Sequence, residues 1–370
     1  MWVGFALVTL AVFSHRTSEG TLPERSRCEV RGVWLNAQAF SSEQGRQDTL
    51  KKIDGANLNT LFLLAPPVQG YPGWSTQEAF SAMLKESESR GLSVHGWIPN
   101  GFRIPGGTDF TLSHEQIEQT QWAMAMLEKY PALDGVHFDY IRFTKWEDVD
   151  RQKMDSVSTV VRIAFQAIHH RYPRKFLTAA VINATPNRAQ SGKESGPEWF
   201  VAWMKVNPGN RYASPFPGGD PSVPEGFKYQ QDAIGWLRGG YIDAIMPMEY
   251  TTGDHRWQEN AKSWLSFRYG EPCGVYLGLG WLTEKGKPDW GYDASGIVRK
   301  IKYGRNLGLR GFVIFELSAF RDIDHVLIDA LSVDSVTNDF SAPFKTAVES
   351  CLSSKGSRCQ ETDRSNSMEN

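Results

Sequence analysis

The phrase DGVHFDYIRF, residues 134–143, sets His137, Asp139 and Arg142 into an otherwise apolar, strand-like run. An isolated charge is costly to desolvate, so three ionisable groups there must pair with one another or do chemistry. Two further carboxylates stand late in similar runs, Glu249 in IMPMEYT and Glu316 in VIFELS. A carboxyl kept protonated by its surroundings donates a proton, while a second, ionised carboxyl attacks carbon or activates water. Asp139, between Phe138 and Tyr140, is the best single candidate, with Arg142 or His137 to support its charge. Glu249 is its favoured partner and Glu316 the rival. For either glutamate, a salt bridge with a neighbouring loop accounts for the residue as readily as catalysis does. Asp134 and Asp243 come at the starts of runs rather than their ends, and read as structural.

The elements that must position these groups alternate in kind. Strand-like runs fall at 30–36, 58–65, 92–100, 134–141, 176–184, 242–251, 274–281 and 311–318. Amphipathic stretches lie between them, such as Ser113–Tyr130, Asp155–Arg171, Gln230–Leu237, Trp257–Arg268 and Ser295–Leu307. Ser113 with Gln116 fits a capping box opening one of these helices. Apolar strands alternating with helices mean parallel strands buried on both faces. Eight such units over roughly 300 residues predict an α/β fold, a (β/α)8 TIM barrel. The alternative, an open doubly wound sheet, lacks a GxGxxG turn after its first strand. The barrel is expected over residues 28–335 as a single domain. The interval at about 185–241, rich in Pro, Gly and Trp, reads as an elaborated loop between strands five and six, and 336–370 as a polar, disordered tail.

In such a barrel the active site gathers at the C-terminal strand ends. The first strand brings Trp34 and Asn36 there, and the third His95, Trp97 and Asn100. The fourth brings His137, Asp139 and Arg142, and the fifth Asn183. The sixth brings Glu249 and Tyr250, the seventh Trp281 and the eighth Glu316. Asn, Asp, Glu, Tyr and Trp on one mouth suit a sugar better than a phosphate or a metal. His95 and His137 have no third ligand spaced to join them, and no CxxC or HExxH occurs, so neither metal nor cofactor is expected.

A net charge of −2 argues against a nucleic-acid partner. Aromatic residues make up 12% of the chain, with 13 Trp that serve either the core or sugar platforms. The apolar run Trp2–Phe13 is too short for an ordinary membrane span and the length of a signal-peptide core. Residues 1–20 are therefore expected to direct secretion or another extracytoplasmic location, with no integral membrane segment. Cys28, Cys273, Cys351 and Cys359 suit disulfide formation there, in any of three pairings. Oligomeric state is not legible.

EVRGVWLN (29–36), LDGVHFDYIRF (133–143) and WLRGGYIDAIMPMEYT (236–251) resemble the glycosyl hydrolase-like 10 family, in order over most of residues 28–320. The resemblance implies a TIM barrel of the bacterial envelope or exterior that hydrolyses a glycan, one relative resembling a hydrolase of stripped peptidoglycan strands. It also implies that Asp139 is the catalytic carboxylate. Many relatives carry a second acid where Tyr140 stands, and Glu249 is this chain's own feature. The expected function is a glycoside hydrolase with paired carboxylates. Asp139 would be nucleophile or stabiliser and Glu249 or Glu316 the acid/base, with Trp34, Asn36, His95, Trp97, His137, Arg142, Asn183, Tyr250 and Trp281 around the carbohydrate. The alternative is a catalytically inactive carbohydrate-binding barrel.

Overall fold

Strands buried along both faces must have side chains on one side and helices on the other, and a closed ring of strands satisfies both. The computed structural model describes residues 29–102, 108–143, 150–182, 230–250, 254–266, 274–280, 294–307, 309, 311–315 and 331. Eight parallel strands follow one another round a closed barrel: β1 (Val30–Leu35), β2 (Thr60–Leu64), β3 (Ser93–Pro99), β4 (Gly135–Asp139), β5 (Phe176–Ile182), β6 (Ala244–Met248), β7 (Leu277–Gly280) and β8 (Gly311–Phe315). Pairing of Val30 with Gly311 and Val33 with Ile314 closes the ring. This is the expected (β/α)8 barrel.

A helix fills each interval between strands: α1 (Glu43–Gly55), α2 (Gln77–Glu88), α3 (Ser113–Lys129), α4 (Arg151–Arg171), α5 (Ala233–Arg238), α6 (Asp254–Ser266) and α7 (Ala294–Asn306). Ser42, Thr76, Asp150 and Asp232 cap α1, α2, α4 and α5 by accepting backbone N–H bonds from the first turn. The capping box expected at Ser113 does not form. Leu112 is the N-cap without a side-chain bond, Ser113 is already helical, and Gln116 Nε2 instead donates to Phe110 O at 2.7 Å.

Side-chain alternation divides the core in two. Val30, Trp34, Phe62, Trp97, Phe176, Ala180, Ala244, Met246, Tyr276 and Val313 fill the barrel interior, while a larger apolar cluster joins strands to helices. At the N-terminal end a polar clasp recurs one residue ahead of β2, β4 and β6. Asn59 Oδ1 accepts from Arg31 N (3.0 Å), Asp134 Oδ2 from Val94 N (2.9 Å) and Asp243 Oδ2 from Leu177 N (2.7 Å). Each ties its own strand to the start of the one before. Asp134 and Asp243 are structural, as their positions suggested. The expected signal peptide and tail, the four cysteines and most of the elaborated loop lie outside the described residues. No helix among the described residues is long and apolar enough to cross a membrane.

Candidate active site

Alternation along β4 points Gly135, His137 and Asp139 into the barrel, and Asp139, last in the strand, reaches the C-terminal mouth. Its carboxylate is buried yet held at both oxygens. The Trp97 indole N–H donates to Oδ2 at 3.1 Å, and the Tyr140 backbone N–H donates to Oδ1 at 2.7 Å. Arg142 Nη1 lies 3.9 Å from Oδ1. Burial raises the carboxyl above the usual carboxylate range, against the opposing pull of Arg142, the Tyr140 N–H and the Trp97 indole. Asp139 is therefore a buried carboxyl that holds its proton more tightly than a solvated aspartate does.

The turn after β4 is shaped around that carboxylate. Tyr140 has φ +51°, a left-handed conformation costing a non-glycine residue about 1–2 kcal/mol. That conformation aims its N–H at Asp139, and its carbonyl accepts from Arg142 N at 2.7 Å. The Arg142 guanidinium covers the Tyr140 ring, 4.2 Å from its centroid. Gly101 permits the turn, because a Cβ there would sit 2.7 Å from Tyr140 O. From beneath, the Asn100 amide, oriented to satisfy its neighbours, donates to Ile98 O (2.9 Å) and Asp139 O (3.2 Å) and meets the Gln119 amide at 2.8 Å. Asn100, expected among the polar groups at the end of the third strand, is a positioning group beneath the turn, whereas Tyr140 escaped the sequence reading in that role. Tyr140 registered only as a missing acid, although a bulky residue directly after the candidate carboxylate was the available signal.

One layer deeper, His137 does not support Asp139. Its Nε2 accepts from Trp34 Nε1 at 3.0 Å, so Nδ1 carries the proton and faces Thr178 Oγ1 at 2.9 Å. Thr178 Oγ1 in turn lies 3.4 Å from Val136 O. Burial, with His95 nearby, holds His137 well below the usual histidine range. His95 lies deeper still, between Phe62 (5.3 Å) and Phe176 (6.3 Å), and burial lowers it to about 4. Both imidazoles are wholly enclosed, and Trp34 is only 1% exposed under Phe62 and Phe315. The expectation that His95, His137 and Trp34 contact substrate is thus corrected: they form the floor on which the mouth rests.

Glu249 is corrected more sharply. Met246 and Met248 point into the barrel, so Pro247 and Glu249 point out, toward α6. The Glu249 carboxylate is completely buried there, accepting from Asn260 Nδ2 (2.9 Å) and Trp264 Nε1 (2.7 Å). It cannot face a substrate beside Asp139. Asn260 and Trp264, four apart on one face of α6, were the sequence signal for this buried bond. Tyr250 turns back inward. It rests on the Gly280 backbone and stacks on Phe315 with centroids 5.8 Å apart. Phe315 also meets Trp97 edge-on at 6.3 Å, so Trp97, Tyr250 and Phe315 make an aromatic wall beside Asp139. Asn36 caps the 3-10 turn at Ala37–Ala39 by accepting from Gln38 N at 3.1 Å. Glu316, Asn183 and Trp281 lie outside the described residues. Among the described residues no three His, Cys, Asp or Glu side chains converge as metal ligands.

No protein-family profile and no curated protein matches the chain. Solved structures do match. A class V chitinase mutant from Cycas revoluta in complex with (GlcNAc)3 aligns over 82% of this chain and 99% of its own, at TM-score 0.55 and 12% identity. The spore cortex-lytic enzyme SleL of Bacillus cereus aligns over 84% of this chain and 74% of its own, at TM-score 0.54 and 12% identity. The PgaB glycoside hydrolase domain from Bordetella bronchiseptica aligns over 83% of this chain and all of its own, at TM-score 0.52 and 11% identity. At such identities the likeness is one of fold.

Proposed function

We propose that the protein is a glycoside hydrolase in which Asp139 donates the proton to the leaving glycosidic oxygen. One observation carries this reading: a single carboxyl, buried at the mouth and raised in pKa, is anchored through both oxygens beside an aromatic wall. An acid placed there protonates the leaving oxygen at a pH where a solvated aspartate would already be ionised. This reverses the role first expected for Asp139, that of nucleophile or stabiliser. Glu316, directly after Phe315 at the end of β8, is the remaining sequence candidate for the second carboxyl.

The substrate class we infer is a glycan containing 2-acetamido sugars. Its support is the barrel's likeness to a chitinase crystallised with (GlcNAc)3 and to a spore cortex-lytic enzyme. The resemblance of three phrases to the glycosyl hydrolase-like 10 family supports the finer assignment and a cell-wall glycan. The leading apolar run supports an extracytoplasmic location, where disulfides form. The second reading, a barrel that binds sugar without cleaving it, is favoured by the outward turn of Glu249. Incubation of purified protein with chitin oligosaccharides, peptidoglycan and acetamido-free glucans, with new reducing ends counted, separates the two. The hydrolase reading expects cleavage of an acetamido glycan, and binding without cleavage of any of them overturns it.

A further inference from the structure

Three large hydrophobic side chains stand exposed among the described residues: Trp74 (38%), Leu112 (44%) and Ile117 (51%). All three fall on one sector of the mouth end, in the loop after β2 and at the start of α3. We propose that this sector, centred on Trp74, is an outer subsite that holds one sugar ring of a long glycan running out from Asp139. The proposal rests on the glycan reading above and adds a second contact point to it.

The loop at 65–75 is built to hold an aromatic face still. Ala65 N donates to Trp97 O and Trp74 N donates to Ala65 O, both at 2.9 Å, which tethers Trp74 to the strand pair leading to the site. Val68 and Tyr71 exchange backbone bonds around Gln69 and Gly70 (φ 46° and 83°), a type I′ turn. Gly73 packs so closely on the Pro66–Pro67 peptide that a Cβ would lie 2.0 Å from Pro67 N. The Trp74 ring stacks on buried Trp122 (5.9 Å, 21°), and Tyr71 stacks on the same ring (5.8 Å, 8°) while its hydroxyl donates to Gln121 Oε1 at 3.1 Å. Ile117, one turn nearer the mouth than Gln121 on the same stripe of α3, extends the surface.

A pyranose ring presents C–H groups on its face and hydroxyls on its rim. A flat indole supported from behind by Trp122 matches the face. Because the indole is already ordered, little side-chain freedom is lost when a sugar settles on it. The supported ring, on one sector with Leu112 and Ile117, stands at the same end of the barrel as Asp139.

The test measures equilibrium retention on insoluble chitin and on purified peptidoglycan, using Asp139→Asn protein so that cleavage does not erode the matrix. Wild-type protein at low temperature is the second background. Truncation of an aromatic anchor typically costs a tenfold or greater loss of affinity. Trp74→Ala is expected to weaken retention on one of the two polymers about tenfold, and Trp74→Tyr to restore it to within about threefold. Unchanged retention in Trp74→Ala overturns the subsite, as does absence of retention on both polymers. Failure of Trp74→Tyr to rescue also overturns it, pointing instead to damage to the loop. Retention that depends on Trp74 in a protein that cleaves nothing would remove the hydrolase reading and leave the subsite. Cleavage lost in Asp139→Asn, with retention indifferent to Trp74, would do the reverse.

Discussion

Trp97→Phe isolates the bond that sets the acidity of Asp139. The substitution keeps a ring against Phe315 and removes the indole N–H that reaches Oδ2 at 3.1 Å. A hydrogen bond to an ionised group contributes about 1.5–3 kcal/mol. Since 1.36 kcal/mol corresponds to one pKa unit, the loss amounts to about one to two units. The sign follows from which form the indole favours: it stabilises the carboxylate, so removing it raises the pKa of Asp139 beyond its already elevated position. A proton donor must be protonated in the free enzyme, and the alkaline limb of the kcat/KM profile reports it. That limb is expected to move upward by about one to two pH units on the cleaved glycan. Loss of buried indole volume also costs about 1–3 kcal/mol of stability, so rates are normalised to folded protein by circular dichroism. An alkaline limb that stays put refutes the reasoning. If the acid limb rises instead, Asp139 works as an ionised nucleophile.

Other expectations follow from the same geometry. Glu249→Gln should lower stability by about 1.5–3 kcal/mol in urea unfolding, through its bonds to Asn260 and Trp264, while kcat of the folded protein stays within a few-fold; a hundredfold fall in kcat would return Glu249 to the catalytic pair. Asp134→Ala should cost about 2–3 kcal/mol, because Ser93 and Val94 lose their acceptor, and an unchanged urea midpoint would contradict the clasp. His95 and His137 are both held below their unfolded pKa near 6.5, so the folded state resists protonation and their contribution is intact above that pH. Stability should therefore fall as pH drops from about 6.5 toward 4, the point at which His95 itself protonates. Urea titrations at several pH values measure this, and a flat profile across that window would count against it.

The barrel was legible because each strand-like run had a turn and a helix-like stretch after it, and the eight observed strands fall inside the eight expected runs. The role of Asp134 was also legible from its place at a strand start. What sequence could not supply was facing at strand ends. In β6 the alternation is unbroken through Pro247, which sends Glu249 out to α6. His95, His137 and Trp34 carried polar atoms near strand ends and so resembled ligand contacts. Their depth depends on barrel register, with His137 opposite Trp97 and Thr178, and a residue's own neighbours in sequence do not encode that register. The capping box failed for a related reason. Gln116 found the Phe110 carbonyl, a bond set by how the chain enters α3 rather than by the Ser-x-x-Gln spacing.

The central claim is that Asp139 supplies the proton for glycosidic cleavage, and Asp139→Asn tests it most directly. Asparagine preserves size and can accept through its single carbonyl oxygen from one of the two donors, Trp97 or Tyr140, but it carries no acidic proton. Side-by-side reducing-end assays on an acetamido glycan, with both proteins shown folded by circular dichroism, should find kcat/KM reduced about a hundredfold or more in the variant. Cleavage that survives the substitution undiminished would contradict the account.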